Sequence, residues 1–334
     1  MADEKAQDGI DDRALAMMAS ANDLIGEGRQ RDAAAMLEEA AHLHEEAGRP
    51  YDQARCLQLA ATLRRSAGDT DLAKSLAQQA AGLRVDDGPL SVSIAAETAE
   101  IATAESRFED AVAGWTDAIE KGTRAGLRTD EVSAFVRRRA ANLIELCRFG
   151  DAEADFIRAF DLTRSAHGED VAAFILIEEA NHLCDAGEAS LARAVADRVA
   201  ILTARESSSA HLRGELQVLL ARLAKDTGDL KAMETHAAKA RALGREAVAP
   251  LTYFSASVQL ADAFQLHGER TQAYRTLATT WATLGDLLGP DVAASWVQPC
   301  LQAFQLSWGD DAFQEAKSQY EASRRAEIKR NQHP

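Results

Sequence analysis

One frame of small residues, repeated about every 40 positions, constrains this chain more than any other feature of it. Its first column is Ala21, Ala61, Ala99, Ala141, Ala180, Ala221 and Ala261, at steps of 40, 38, 42, 39, 41 and 40 residues. A second column, Ala33, Ala73, Ala111, Ala152, Ala192, Met233 and Ala273, follows by twelve residues, and by eleven in the fourth copy. A third reads Ala40, Ala80, Ala118, Ala159, Val199, Ala240 and Thr280. Turn signals stand between the first two columns: Gly28-Arg29, Gly68-Asp69, Ser106-Arg107, Arg148-Phe149-Gly150-Asp151, Gly187-Glu188, Gly228-Asp229 and Gly268-Glu269. Glycine supplies the left-handed conformation that ends one helix, and an acidic residue suits the N-terminus of the next. Each copy therefore reads as helix, tight turn, helix. Small side chains let two antiparallel helices approach to about 8–10 Å, and Trp115, four residues after Ala111, fills the groove beside them. Such units bury their apolar faces against their neighbours, so the chain is expected to form one continuous array.

This pattern of small residue, glycine turn, alanine, aromatic and alanine resembles the tetratricopeptide repeat, in a long form of about 40 residues instead of the common 34. The resemblance covers residues 11–316. It implies an all-α fold, a right-handed α-solenoid of about eight antiparallel helix pairs. The first-helix Trp and the proline between repeats are absent from the pattern, so longer links or an extra helical turn are expected. Residues 1–10 read as a polar N-terminal tail, and Val85-Asp86-Asp87-Gly88-Pro89 as the stop of the second pair. The last repeat, with Trp296, Ala303, Phe304, Trp308 and Gly309-Asp310-Asp311, is atypical and suits a cap. Residues 317–334 continue its helix into a basic tail with Arg324-Arg325 and Lys329-Arg330.

Composition narrows the function. A net charge of −16, from 53 acidic and 37 basic residues, argues against a general nucleic-acid or anionic-membrane binder. The clusters Arg64-Arg65 and Arg137-Arg138-Arg139 lack interleaved aromatics. No apolar run has the length of a membrane span and the first ten residues lack the regions of a signal peptide, so a cytoplasmic protein is expected. Arginine outnumbers lysine by 29 to 8, a usage associated with GC-rich bacterial genomes. Cys56, Cys147, Cys184 and Cys300 have no CxxC spacing and read as reduced, partly buried helical thiols. Glu39-x-x-His42 and Glu179-x-x-His182 match a di-metal spacing, but they lie four repeats apart. There is no Gly-rich phosphate loop, HExxH or GxSxG. The expectation is a non-enzymatic protein with no cofactor and no metal.

The resemblance implies that the first helix of each repeat lines a concave groove, with the residue after its small alanine pointing in. That column is Asn22, Thr62, Glu100, Asn142, Asn181, Arg222 and Asp262, and every member is polar. Positions three and four earlier share its face and add Arg138, Arg139, Ile177, Glu178, Val258 and Gln259. Seven residues earlier stand Arg55, Phe135, Phe174 and Glu215. An Asn amide can both donate to and accept from a peptide backbone, arginines can pair with a carboxylate, and Phe135 and Phe174 offer apolar anchors. A solvated face is the competing reading, in which Glu178 pairs with Arg138 or Arg139. Glu178 also stands where the family's carboxylate clamp has a second Asn, so that clamp is not implied.

The expected function is a protein-interaction module, an adaptor, scaffold or chaperone, whose partner is a peptide or protein segment in the groove. Two alternatives remain. One is a signalling-peptide receptor of the quorum-sensing kind, which also resembles 40-residue repeats but carries an N-terminal effector domain, whereas these repeats begin by residue 11. The other is a self-associating scaffold, a homo-oligomer joined through the C-terminal cap and its Trp296 and Trp308.

Overall fold

Two 17-residue helices and two three-residue links make the 40-residue period, as in α2 (Gln30–Glu46) and α3 (Pro50–Ser66), separated by residues 47–49. The computed structural model describes residues 2–85, 88–205 and 207–332. They fall into two compact units, residues 1–168 and 169–334. The first unit stacks four antiparallel pairs: α1 (Ala2–Gly26) with α2, α3 with α4 (Thr70–Gly82), α5 (Gly88–Ala104) with α6 (Phe108–Arg124), and α7 (Thr129–Glu145) with α8 (Phe149–His167). The second unit pairs α9 (Glu169–Asp185) with α10 (Ala189–Thr203), α11 (Ala210–Asp226) with α12 (Leu230–Glu246), and α13 (Pro250–Leu266) with α14 (Arg270–Leu288). It ends with α15 (Pro290–Trp308) and α16 (Asp310–Gln332). The fold is all-α, a solenoid of helix pairs, with no strand among the described residues. No described helix is long and apolar enough to cross a membrane.

Several boundaries differ from expectation. The long period comes from the extra turn in each helix, not from longer links. Helix α1 begins at Ala2, so residues 2–10 are its first turns and not a polar tail. Asp86 and Asp87 lie outside the described residues, and Gly88-Pro89 open α5 where a stop was expected. Pro50, Pro250 and Pro290 likewise stand at the first turn of α3, α13 and α15, where a proline's missing N–H costs nothing.

Each first helix ends in a left-handed residue: Gly28, Gly68, Gly187, Gly228 and Gly268, with Ser106 and Cys147 in the same role at φ 57°. The amide three residues past the helix reaches back to a carbonyl five residues earlier, as Arg29 to Leu24 at 2.9 Å and Glu269 to Phe264 at 2.8 Å. In the fourth copy the turn residue is Cys147, which is exposed and outside the helix, while Gly150 lies inside α8. Counting back seven residues from each turn gives Ala21, Ala61, Ala99, Ala140, Ala180, Ala221 and Ala261. Ala140 is fully buried while Ala141 is half-buried, so the first column is corrected by one residue there and the twelve-residue spacing becomes uniform. Two adjacent alanines satisfy the pattern equally well in sequence; packing against α8 selects one.

The second and third columns are buried throughout, and the third, from Ala40 to Thr280, is fully so. At the centre of the first unit Trp115 is 1% exposed and packs with Ala95, Ala99, Ala111 and Ala118. Helices α5 and α6 approach so closely that a Cβ on Gly114 would lie 2.9 Å from that of Ala99. The second unit closes on an aromatic cluster in which Phe304 stacks on Trp308 at 4.7 Å and Tyr274 meets Phe313 at 5.5 Å.

Candidate functional site

The expected binding column runs along the first helices, and most of it is engaged within the protein. In the first unit Thr62 Oγ1 donates to Glu97 Oε2 at 2.8 Å, and Arg65 Nε donates to Glu97 Oε1 at 2.7 Å. Glu97 is only 5% exposed, so this carboxylate is neutralised where it is buried. Arg138 pairs with Glu100 and also lies over the Trp115 ring, 5.5 Å from its centroid. Phe135 is half-buried and stacks on Trp115 with centroids 5.7 Å apart, so it is packing and not an open anchor. Asn22 and Arg55 are exposed and make no hydrogen bond or ion pair among the described residues.

Two expectations are corrected here. Asn142 is 3% exposed, with its Oδ1 accepting from Thr103 Oγ1 at 3.0 Å and its Nδ2 donating to the Arg138 carbonyl at 2.8 Å. The shift of register explains it: with Ala140 as the column residue, Asn142 occupies the same place as Ile101 and Leu223, which are core positions. Arg139 faces the second helices instead of the groove. Its Nε and Nη2 hold Asp155 at 2.7 and 2.6 Å, and Nη1 donates to Thr116 at 3.1 Å. Those bonds to Asp155 push its pKa above the usual guanidinium range, against the effect of burial.

In the second unit Arg222 Nη2 donates to Asp185 at 2.6 Å and Lys225 Nζ to Asp262 at 2.9 Å. Thr252 Oγ1 donates to Glu215 at 2.5 Å, His211 lies 3.8 Å from the same carboxylate, and Phe174 tilts against the His211 ring at 4.9 Å. Glu178 is half-buried and engaged. Asn181 is half-buried and makes no hydrogen bond among the described residues.

Within each unit these contacts form rungs. Their partners lie 32–39 residues apart, from Arg65 with Glu97 to Thr103 with Asn142. That is less than one period, because successive first helices lie side by side and a long side chain reaches back along its neighbour. Glu97, Thr103, Asp185 and Lys225 carry this role, and the column did not single them out. A search for opposite charges at one period less two or three residues finds three ion pairs, Arg138 with Glu100, Arg222 with Asp185 and Lys225 with Asp262. Of the expected column, Thr62, Glu100, Asn142, Arg222 and Asp262 are engaged, while Asn22 and Asn181 keep open amides.

No family model and no curated protein matches the chain. Solved structures do match in fold. The apo form of RapI has a TM-score of 0.53 at 11% identity, covering 80% of this chain and 96% of that one. A signal transduction ATPase with numerous domains from Pyrococcus horikoshii, which has a tetratricopeptide repeat sensor, has a TM-score of 0.54 at 13% identity, covering 89% of this chain and 45% of that one. Together with the repeat frame and the helix pairs, these likenesses make the chain a tetratricopeptide-like α-solenoid in fold.

Proposed function

We propose that this chain is a non-enzymatic, cytoplasmic protein-interaction module that binds a segment of another protein along the first helices of the second unit. The reading rests on one observation: Asn181 keeps its whole amide free, on a face whose other column members are tied into rungs. An amide fixed on a helix between rungs is preorganised, so it donates to and accepts from a peptide backbone with little further loss of side-chain freedom. Phe174, two turns earlier on α9, supplies apolar surface beside it.

The test is capture of partners by the tagged protein from its own cells, read by mass spectrometry beside Asn181→Ala and Asn22→Ala. The expected result is a partner lost from Asn181→Ala and kept by Asn22→Ala. Equal recovery by all three proteins overturns the reading.

A further inference from the structure

A groove of the first unit lies elsewhere, between α4 and α6 with α5 as its floor, and has a volume of about 690 Å³. Helix α4 has 13 residues where its neighbours have 17, so one turn is missing beside α6. Ile94 and Ala95 form an apolar floor. Among the described residues Arg84, Lys121, Arg124 and Asp117 form the rim, three cations against one carboxylate in a chain of net charge −16, and Asp86 and Asp87 lie outside those residues. Lys121 is satisfied by Asp117 at 2.6 Å. Arg84 and Arg124 are exposed and have no carboxylate partner among the described residues.

That is unusual in this unit. Arg13, Arg29, Arg31, Arg64, Arg65, Arg107, Arg128, Arg138, Arg139, Arg148 and Arg164 all pair with carboxylates. Two of the few arginines left over border the same cavity. Arg84 also has φ 48°, at the turn after a second helix where Gly48 and Gly126 stand in adjacent repeats. A left-handed non-glycine residue costs about 1–2 kcal/mol. A cationic side chain therefore stands where glycine would be less strained.

We propose that this groove binds a short acidic segment of another protein, with two carboxylates on Arg84 and Arg124 and a small aliphatic side chain over Ile94. Charge complementarity selects the ligand, since guanidinium groups pair with carboxylates through paired hydrogen bonds. The volume is within the range of about 300–1,000 Å³ typical of ligand sites. Arg84 and Arg124 are both exposed and stand at one end of the groove, where α4 and α6 finish. This site is independent of Asn181.

The experiment is fluorescence anisotropy of the full chain with a labelled twelve-residue Glu/Leu peptide and with its Lys/Leu counterpart. The expected result is binding of the acidic peptide alone, weakened at least fivefold by Arg84→Gly and by Arg124→Ala and further by both. Arg84→Gly relieves the backbone, so a melting temperature no lower than wild type shows that lost binding is not lost folding. Arg55→Ala, which removes an unpaired arginine outside the groove, and Asn181→Ala leave the affinity unchanged. No binding of the acidic peptide, equal binding of the basic one, or insensitivity to Arg84→Gly and Arg124→Ala overturns the proposal. So does a concentration-dependent mass abolished by Arg84→Gly, which would make a second copy of this chain the occupant.

Discussion

The two units solve the same problem differently when they draw a guanidinium in between neighbouring second helices. In the first, Arg139 of α7 meets one carboxylate, Asp155, which is 7% exposed. In the second, Arg241 of α12 meets only hydroxyls: Ser257 at 3.0 Å, Tyr253 at 2.8 Å and Thr279 at 2.9 Å. The Tyr253 ring lies beneath it, 5.0 Å from centroid to guanidinium carbon, and the Tyr253 hydroxyl donates a hydrogen bond to Thr283 Oγ1 at 3.2 Å. A charged pair concentrates the interaction, and losing one member strands the other in a dry place. A hydroxyl cradle spreads it over three uncharged acceptors, and Ser257, Thr279 and Thr283 each keep a backbone acceptor of their own.

The contrast is sharpest under truncation. Arg139→Ala is expected to destabilise the first unit by about 3–5 kcal/mol, because Asp155 stays buried without its partner. Urea unfolding measures it, and Arg139→Met with Asp155→Leu should recover most of the loss. Arg241→Met is expected to cost only about 1–2 kcal/mol, because the hydroxyls left behind are uncharged and three of them keep backbone acceptors. If the two single variants cost the same, the distinction between pair and cradle has no energetic content.

These half-buried arginines also show where sequence reading stops. The repeat frame was legible because each column is a packing constraint repeated in every copy: the third column is fully buried from Ala40 to Thr280. One copy with two adjacent alanines was enough to lose the register, and the error moved Asn142 from the core to the groove. Arg139 shows the same limit, since its helix face was assigned from that shifted alanine and Asp155 lies on another helix. The rungs were hidden for a different reason. Periodicity marks a polar face, but whether Asn181 stays open while Asn142 is engaged depends on what stands one period away. Thr103 happens to reach Asn142, and no spacing rule foretells it.

Backbone strain separates copies within each unit and predicts smaller effects. Cys147 in the first unit and Val248 in the second hold φ of 57° and 51° at turns where most copies use glycine. Cys147→Gly and Val248→Gly are each expected to stabilise by about 0.5–1 kcal/mol, the relief of the left-handed strain less glycine's entropic cost. Valine should gain more, since branching at Cβ crowds that conformation most. A rise in melting temperature checks both, and a fall for Val248→Gly would contradict the turn geometry. The converse change, Gly244→Ala in α12, drives a Cβ to 2.7 Å from the Tyr253 amide nitrogen, so it should destabilise the helix pair that holds Arg241.

The smallest expected effect is a pH dependence confined to the second unit. His236 of α12 has its Nδ1 2.8 Å from Gln217 Oε1. Burial holds its pKa below the ordinary histidine value, and the positive charges of Lys239 and Arg193 lower it further, with only Asp229 opposing. Because the folded pKa is below the unfolded one, the unfolded chain binds more protons as the pH falls below about 6.5. The contribution is therefore neutral above that value, and stability declines as the pH falls toward the folded pKa. In His236→Gln the amide can keep a hydrogen bond to Gln217 but has no proton to take up. The melting temperature of wild type should slope downward from pH 7 to pH 5 more steeply than that of the variant. Equal slopes would mean that neither burial nor the charges of Lys239 and Arg193 holds His236 below the ordinary histidine value.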